Sequence, residues 1–105
     1  MITDAPVLDA RIIRALDPGI RERVVRLDAL GFRTTDSGDG VSKPKFPSVL
    51  PVPHVYMAVT KETLFTECGR LVQVVGEWVD EFGPCRVQAL YAPEHPAYML
   101  EAIWE

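Results

Sequence analysis

A ten-residue segment that begins at Gly31, with the sequence GFRTTDSGDG, contains the residues best suited to binding a ligand. Hydroxyl, carboxylate and guanidinium groups follow one another closely there, and two lysines and a histidine come after them, so hydrogen-bond donors and acceptors are both present. Such a mixture fits a ligand that itself carries donors and acceptors, for example a nucleotide. We therefore predict a ligand-binding site made of Arg33, Thr34, Thr35, Asp36, Ser37, Gly38, Asp39, Gly40, Lys43, Lys45 and His54.

Two glycines and two aspartates set the chemistry expected of this segment. Gly38 and Gly40 permit positive φ, and successive amides there can form a concave anion-binding nest. Asp36 and Asp39 place negative charge beside that nest, which opposes a bare phosphate and favours hydroxyl, amino or guanidinium donors, or a cation. A phosphate is left to the arginine and lysines nearby, so a nucleotide is a permitted ligand.

The sequence Asp-x-x-Asp-Gly at residues 36–40 resembles part of an acidic calcium loop. With Asp36 as the first EF-hand ligand, the third and fifth positions are Gly38 and Gly40 and the twelfth is Pro47. None of these supplies the required side-chain oxygen, so the EF-hand interpretation fails. A magnesium site through Asp36, Asp39 and a ligand phosphate stays open, and no cofactor is predicted.

The case for catalysis depends on His54. With Asp36 or Asp39 as an orienting carboxylate or magnesium ligand, it would be a general base, which gives the alternative function of a small hydrolase acting on a nucleotide or phosphoester. The sequence has no HExxH, GxSxG, P-loop or GxGxxG motif. Cys68 lies in an apolar helical stripe, where a buried thiol is a poor nucleophile. The favoured interpretation is a non-enzymatic binding protein.

Composition limits the class of protein. The chain has 105 residues, 48% of them apolar, with a formal net charge of −4. That length fits a single domain, and the acidic balance argues against non-specific nucleic-acid or membrane binding. No apolar run approaches the roughly 20 residues that span a bilayer. Cys68 and Cys85, 17 residues apart, form neither a disulfide framework nor a zinc motif. We expect a soluble cytoplasmic protein with two reduced, half-buried thiols.

Hydrophobic periodicity predicts the elements that position the site. Apolar residues recur at helical spacing over residues 5–30, with a break at Asp17-Pro18, and again from Lys61 to about Phe82. Strands are predicted over residues 32–35, 54–60, 86–92 and 97–104, and a long Pro- and Gly-containing loop over 36–53. The predicted fold is α+β: one domain, residues 1–105, with two amphipathic helices on one face of a four-stranded, mainly antiparallel sheet, in the order α-β-β-α-β-β.

The other face of that sheet is expected to be partly apolar and open. The residues predicted on it are His54, Tyr56, Arg86, Gln88, Leu90 and Glu101. Because exposed aromatic and aliphatic side chains commonly mark an interface, we predict a homo-oligomer, most simply a homodimer.

Three short stretches resemble a pattern in small uncharacterised bacteriophage proteins, GFxTTDSGDG…PHVxM…ExxRL. They are GFRTTDSGDG at residues 31–40, PHVYM at 53–57 and Glu67-x-x-Arg70-Leu71. The resemblance implies expression in the cytoplasm of an infected bacterium and a binding role that blocks host defence, by sequestering a signalling nucleotide or inhibiting a host protein. The Lys- and Pro-containing stretch over residues 43–51 departs from that pattern.

Overall fold

The structure is a computed structural model that describes residues 10–41, 51–92 and 97–105. In chain order its elements are α1 (Ala10–Ala15), α2 (Arg21–Ala29), β1 (Arg33–Gly38), β2 (His54–Val59), α3 (Leu64–Glu77), α4 (Val79–Phe82), β3 (Cys85–Ala92) and β4 (Ala97–Trp104). The α+β class predicted from the sequence is confirmed. So is the break at Asp17-Pro18, which lies between α1 and α2.

The four strands form one antiparallel sheet in the order β1-β2-β4-β3. β4 lies between β2 and β3 and is antiparallel to both, so β2 and β3 run in the same direction and are joined by the crossover through α3 and α4. β1 and β3 are the two edges. They differ in regularity: β1 has a register shift between Thr34 and Asp36, whereas all eight residues of β3 pair continuously with β4.

The core lies between one face of the sheet and the helices α2 and α3. Alternate strand residues point to that face, and the helices meet it with residues spaced three or four apart, as amphipathic helices do. The buried apolar cluster contains Ile20, Val24, Leu27, Phe32, Val55, Met57, Leu71, Val75, Leu100, Ala102 and Trp104. Both amphipathic helices therefore pack on the same face, as predicted.

The first strand is longer than predicted, which corrects the position of the following loop. β1 extends to Gly38, so residues 36–38 belong to the sheet and not to a loop over 36–53. Their main chain pairs with β2, Ser37 opposite Val55 and Gly38 opposite His54. Strand pairing overrides the low strand propensity of an Asp-Ser-Gly sequence. Residues 42–50, with Lys43 and Lys45, lie outside the described residues, as do residues 1–9 of the predicted N-terminal helical stretch.

The start of α3 also differs from the prediction of Lys61. Thr60 and Thr63 exchange hydrogen bonds: the amide of Thr60 donates to Thr63 Oγ1 at 3.0 Å, and the amide of Thr63 donates to Thr60 Oγ1 at 3.1 Å. This reciprocal pair closes a turn before the helix and satisfies amides that have no helical partner. Regular helix therefore begins at Leu64. Among the described residues, no helix is both long and apolar enough to cross a membrane.

Candidate functional site

A cleft of about 200 Å³ lies between α1 and β1. α1, the start of α2 and the register shift in β1 form its walls, one side apolar and the other carrying hydroxyl and carboxylate groups. The lining residues are Ile12, Ala15, Leu16, Asp17, Val24, Thr34, Thr35, Asp36 and Ser37. Four of the eleven residues predicted to bind a ligand, residues 34–37, are thus brought together at one concave surface.

The register shift in β1 determines which of these side chains reach the cleft. Thr34 pairs with Met57 and Ser37 with Val55, so both lie on the face of the sheet that carries the helices. The extra residue between them is Thr35, whose hydroxyl donates to the carbonyl of Tyr56 at 3.4 Å. A regular strand would alternate faces and could not place residues three apart on one face. Sequence periodicity gave no sign of this shift.

Thr34 carries the polar atom of the cleft that most needs a partner. Its Oγ1 is buried and makes no hydrogen bond. An unsatisfied buried polar group costs about 1–3 kcal/mol, and native structures contain few of them. A ligand group that bonds this hydroxyl would recover that cost.

The two charged residues that the structure describes in the lining of the cleft, Asp17 and Asp36, are both acidic. Asp36 is exposed and pairs with Tyr56 on the helix-free side of β1, and its Oδ1 accepts a hydrogen bond from the amide of Ser37 at 2.9 Å. Asp17 lies in the turn between α1 and α2. Arg33 pairs with Ala58, on the opposite face of the sheet from Thr34. The arrangement favours donors or a cation and disfavours a bare phosphate.

The side chain of Asp39, predicted to bind a ligand, forms hydrogen bonds that stabilise the fold. It is buried, and its two carboxylate oxygens accept hydrogen bonds from the amide of Gly19 at 3.1 Å and from that of Val41 at 3.0 Å. Its own amide donates to Asp17 Oδ2 at 3.3 Å. These bonds join the turn between α1 and α2 to the segment after β1, and so fix one end of the cleft.

The backbone conformation at position 40 requires a glycine. Its φ is +85°, and a Cβ there would lie 2.6 Å from the carbonyl carbon of Pro51. The positive φ is one that glycine permits. The space where a Cβ would stand is occupied by the main chain of Pro51 and Val52, so a side chain at this position is excluded. Gly38 is in β1 and has no positive φ.

His54 is not among the residues that line the cleft. It is 5% exposed, and Nδ1 lies 2.8 Å from the carbonyl oxygen of Val52. Its ring packs edge-on against Tyr56, with centroids 5.6 Å apart, and over Gly38. A neutral ring donates through Nδ1 in this arrangement. The predicted pairing of His54 with Asp36 as a general base is therefore absent from the described geometry.

Polar side chains on the helix-free face of the sheet interact with one another, which the sequence did not indicate. One row across that face runs Asp36, Tyr56, Glu101, Gln88. Glu101 is only 4% exposed, and it accepts a hydrogen bond from Gln88 Nε2. Burial, followed by interaction with the Glu101 carboxylate on the paired strand, raises the pKa of Tyr56 to about 12. The row binds its own polar groups, which leaves fewer of them for a partner.

Both cysteines are free and half-buried, as predicted. Burial raises the pKa of the Cys85 thiol to about 11, so little thiolate is present near neutral pH. Within residues 10–41, 51–92 and 97–105, no group of three or more histidines, cysteines and acidic residues is placed to hold a metal ion.

The known proteins provide no function by similarity. No protein-family profile, curated protein or solved structure matches this chain. The resemblance to small bacteriophage proteins stays a prediction. What the chain binds is inferred from the chemistry of the cleft.

Proposed function

We propose that this chain is a non-enzymatic binding protein that uses the cleft between α1 and β1 to hold a small molecule rich in hydrogen-bond donors. The observation that carries the proposal is the buried, unpartnered hydroxyl of Thr34 in a cleft bordered by Asp17 and Asp36. Hydroxyl, amino and guanidinium groups are the donors that this set would recognise.

The size of the cleft limits how much of a ligand it can enclose. Its volume of about 200 Å³ is below the roughly 300–1,000 Å³ of sites for drug-sized ligands. It is suited to one part of a larger molecule, such as the ribose or amino-bearing base of a nucleoside, or to a small amine. Ile12, Leu16 and Val24 supply an apolar wall for the flat or aliphatic part of that ligand.

A phosphate on the ligand is the part of the proposal that rests on sequence. Lys43 and Lys45, its expected partners, lie outside the described residues, and Arg33 lies on the other face of β1. The phosphate of a bound nucleotide would therefore extend beyond the cleft. A signalling nucleotide stays the proposed natural ligand. Inhibition of a host protein in an infected bacterium is the second partner class that the sequence resemblance implies.

Binding without turnover is favoured by the position of His54. The residue proposed as general base for a hydrolase packs against Gly38 and Tyr56 and bonds the carbonyl of Val52. A base must lie within hydrogen-bond reach of the proton that it removes. His54 is not among the residues that line the cleft.

The proposal is tested with nucleosides, linear and cyclic nucleotides, and small amines, first by thermal shift and then by calorimetry. A ligand at about 100 times its dissociation constant adds about 2.7 kcal/mol to the stability of the native state. Thr34→Val and Ser37→Ala should each weaken binding at least tenfold, because each removes a hydroxyl group from the side of β1 that lines the cleft. Thr66→Val, on the exposed surface of α3, is the matched control.

Two results would overturn the proposal. One is a full screen with no ligand bound. The other is a ligand whose affinity is the same in wild type, Thr34→Val and Ser37→Ala, which would place it elsewhere. Chromatography of the ligand after heat release separates binding from catalysis: recovery of a product instead of the added ligand would support the hydrolase.

A further inference from the structure

The two edges of the sheet are built very differently. β1 carries a register shift and charged residues, Arg33 and Asp36, which are common protections against pairing with another chain. β3 has neither a register shift nor a proline, and Arg86 is its only charged residue. Among the described residues, no strand pairs with its outer edge. β3 is thus a regular edge of eight residues with backbone groups available for pairing.

An apolar groove runs beside this edge, between α3 and β3. Its volume is about 330 Å³, and its lining residues are Val72, Val75, Gly76, Val79, Cys85 and Val87. Val72 and Val79 are 52% and 43% exposed. Phe65, two turns before Val72 on the same face of α3, is 85% exposed. An open edge and an exposed apolar helix face side by side are typical of a surface that another chain covers.

We propose that this surface, β3 together with the outward face of α3, binds a second copy of the chain, so that two β3 strands pair antiparallel about a two-fold axis and form an eight-stranded sheet. The proposal is independent of the ligand cleft, which lies at the opposite edge of the sheet.

Strand pairing of this kind brings the two α3 helices to packing distance. α3 lies mainly over β3 and to a lesser extent over β4. With strands about 4.8 Å apart, a helix placed above the line between β3 and β4 would lie about 10 Å from its two-fold mate. Packed helices are about 8–10 Å apart. The same two-fold arrangement therefore lets the two β3 strands pair and the two α3 helices pack.

Pairing along the whole of β3, Cys85–Ala92, places the two-fold axis near the middle of the strand, at Gln88. Val75 of α3 lines the same groove as Cys85 and Val87 of β3, and Gln88 lies about two residues beyond the midpoint of those two strand residues. Two strand residues correspond to about four helix residues, because the rise is about 3.3 Å in a strand and 1.5 Å in a helix. The axis then passes close to Leu71, at the middle of α3.

With the axis there, the exposed residues of α3 are complementary to their own copies. Phe65 of each copy faces Gly76 of the other, and Gly69 faces Val72. A Cβ built at Gly69 or Gly76 meets nothing within 4 Å, so both glycines leave space for the opposing side chain. On the strands, Arg86 faces Leu90 of the second copy, and no like charges are opposed.

The size of the contact fits a dimer of modest affinity. Eight strand residues extend about 27 Å, and a sheet with one helix layer is about 20 Å thick, so the contact covers roughly 550 Å² per copy in projection. Stable specific interfaces bury at least about 600 Å² per partner. The contact lies slightly below that size, so we expect a dimer that dissociates on dilution.

The test is sedimentation of the full chain over a concentration series, with Gly76→Leu as the diagnostic variant. A leucine at this position has room in the monomer and suits a helix better than glycine, so the fold is kept. It would fill the space for Phe65 of the second copy and raise the dimer dissociation constant at least tenfold. Thr66→Leu, about 100° round the same helix, is the matched control and should dimerise like wild type.

Disulfide trapping tests the register. Under mild oxidation Gln88→Cys should form a covalent dimer, because the axis brings both copies of this residue opposite each other, within the Cα separation of about 4.4–6.8 Å that a disulfide requires. Arg86→Cys should not, since it faces Leu90. A chain that sediments as a monomer throughout, a dimer unaffected by Gly76→Leu, or equal trapping at both cysteines would overturn the proposal.

Discussion

The amide of Gly19 donates a hydrogen bond to Oδ2 of Asp39 at 3.1 Å, across 20 residues of sequence. The other oxygen of the same carboxylate accepts from the amide of Val41. One buried side chain therefore joins the turn before α2 to the end of β1. Because α1 precedes that turn, this link holds the two walls of the cleft together.

Replacing Asp39 by alanine should lower the free energy of unfolding by about 1 kcal/mol or more, because two part-buried amides lose their acceptor. Asp36→Ala removes an equal charge from an exposed position and should change stability by no more than about 0.5 kcal/mol. Urea unfolding of the three proteins makes the comparison. Equal losses in the two variants would show that the bonds of Asp39 contribute little.

Thr34→Val, unlike Asp39→Ala, should not lower the free energy of unfolding. Valine has nearly the shape of threonine, and the hydroxyl that it removes is buried without a partner. The free energy of unfolding should stay the same or rise by about 1 kcal/mol, since no unsatisfied group remains. Thr63→Val, which breaks the exchange of hydrogen bonds with Thr60, should instead lower it by about 1 kcal/mol. A marked loss of stability in Thr34→Val would mean that its hydroxyl is already satisfied.

Stabilisation of the ligand-free protein together with weaker ligand binding is the signature of a residue kept for function. Thr34→Val is therefore informative in both assays. If Thr34→Val loses both stability and ligand binding, the role of Thr34 is purely structural.

The fold was accessible from the sequence where periodicity is strong. The stripe of Leu64, Cys68, Leu71 and Val75 predicted α3, and the alternation of Val55 and Met57 predicted β2 and its buried face. The site was accessible only in part, because its geometry depends on long-range contacts. Neither the register shift beside Thr35 nor the bond from Gly19 to Asp39 has a local sequence signal, and without them Asp39 resembles an exposed ligand residue.

The pH dependence of stability should include a contribution from Tyr56. Burial and the neighbouring Glu101 carboxylate raise its pKa to about 12, above the ordinary value near 10 that applies in the unfolded chain. From pH 10 to 12 the unfolded chain loses this proton while the folded chain keeps it, so stability falls as pH rises. Tyr56→Phe should fall less steeply over that range in urea unfolding experiments. Parallel curves would indicate an unperturbed phenol.

Arg70 joins α3 to the end of α2. Its guanidinium lies 3.9 Å from the centre of the Phe32 ring, donates to the carbonyl of Leu30 at 2.7 Å, and makes two bonds to Glu67. Lysine keeps the charge but not the planar fork, so Arg70→Lys should cost about 1–2 kcal/mol. Arg86→Lys, at an exposed pair with Glu105, is the control and should cost less than about 0.5 kcal/mol. Similar values for the two would make Arg70 an ordinary surface residue.

Gly38 and His54 should be energetically coupled. A Cβ on Gly38 would lie 2.7 Å from Cε1 of His54, a buried ring held by its bond to the carbonyl of Val52. Gly38→Ala should therefore lower the free energy of unfolding by about 1–3 kcal/mol through overpacking. In a His54→Ala background the two closest atoms, both of the ring, are gone, and Asp17 Oδ2 lies at an ordinary 3.5 Å from the added methyl group, so most of that loss should disappear. A double-mutant cycle by urea unfolding should give a coupling of about 1–2 kcal/mol. Additive losses would show that the cost of the added methyl group does not come from the ring. No loss in Gly38→Ala alone would show that the ring moves aside freely, and a ring that moves freely could also reach a ligand as a base, so this cycle bears on the choice between binding and hydrolysis.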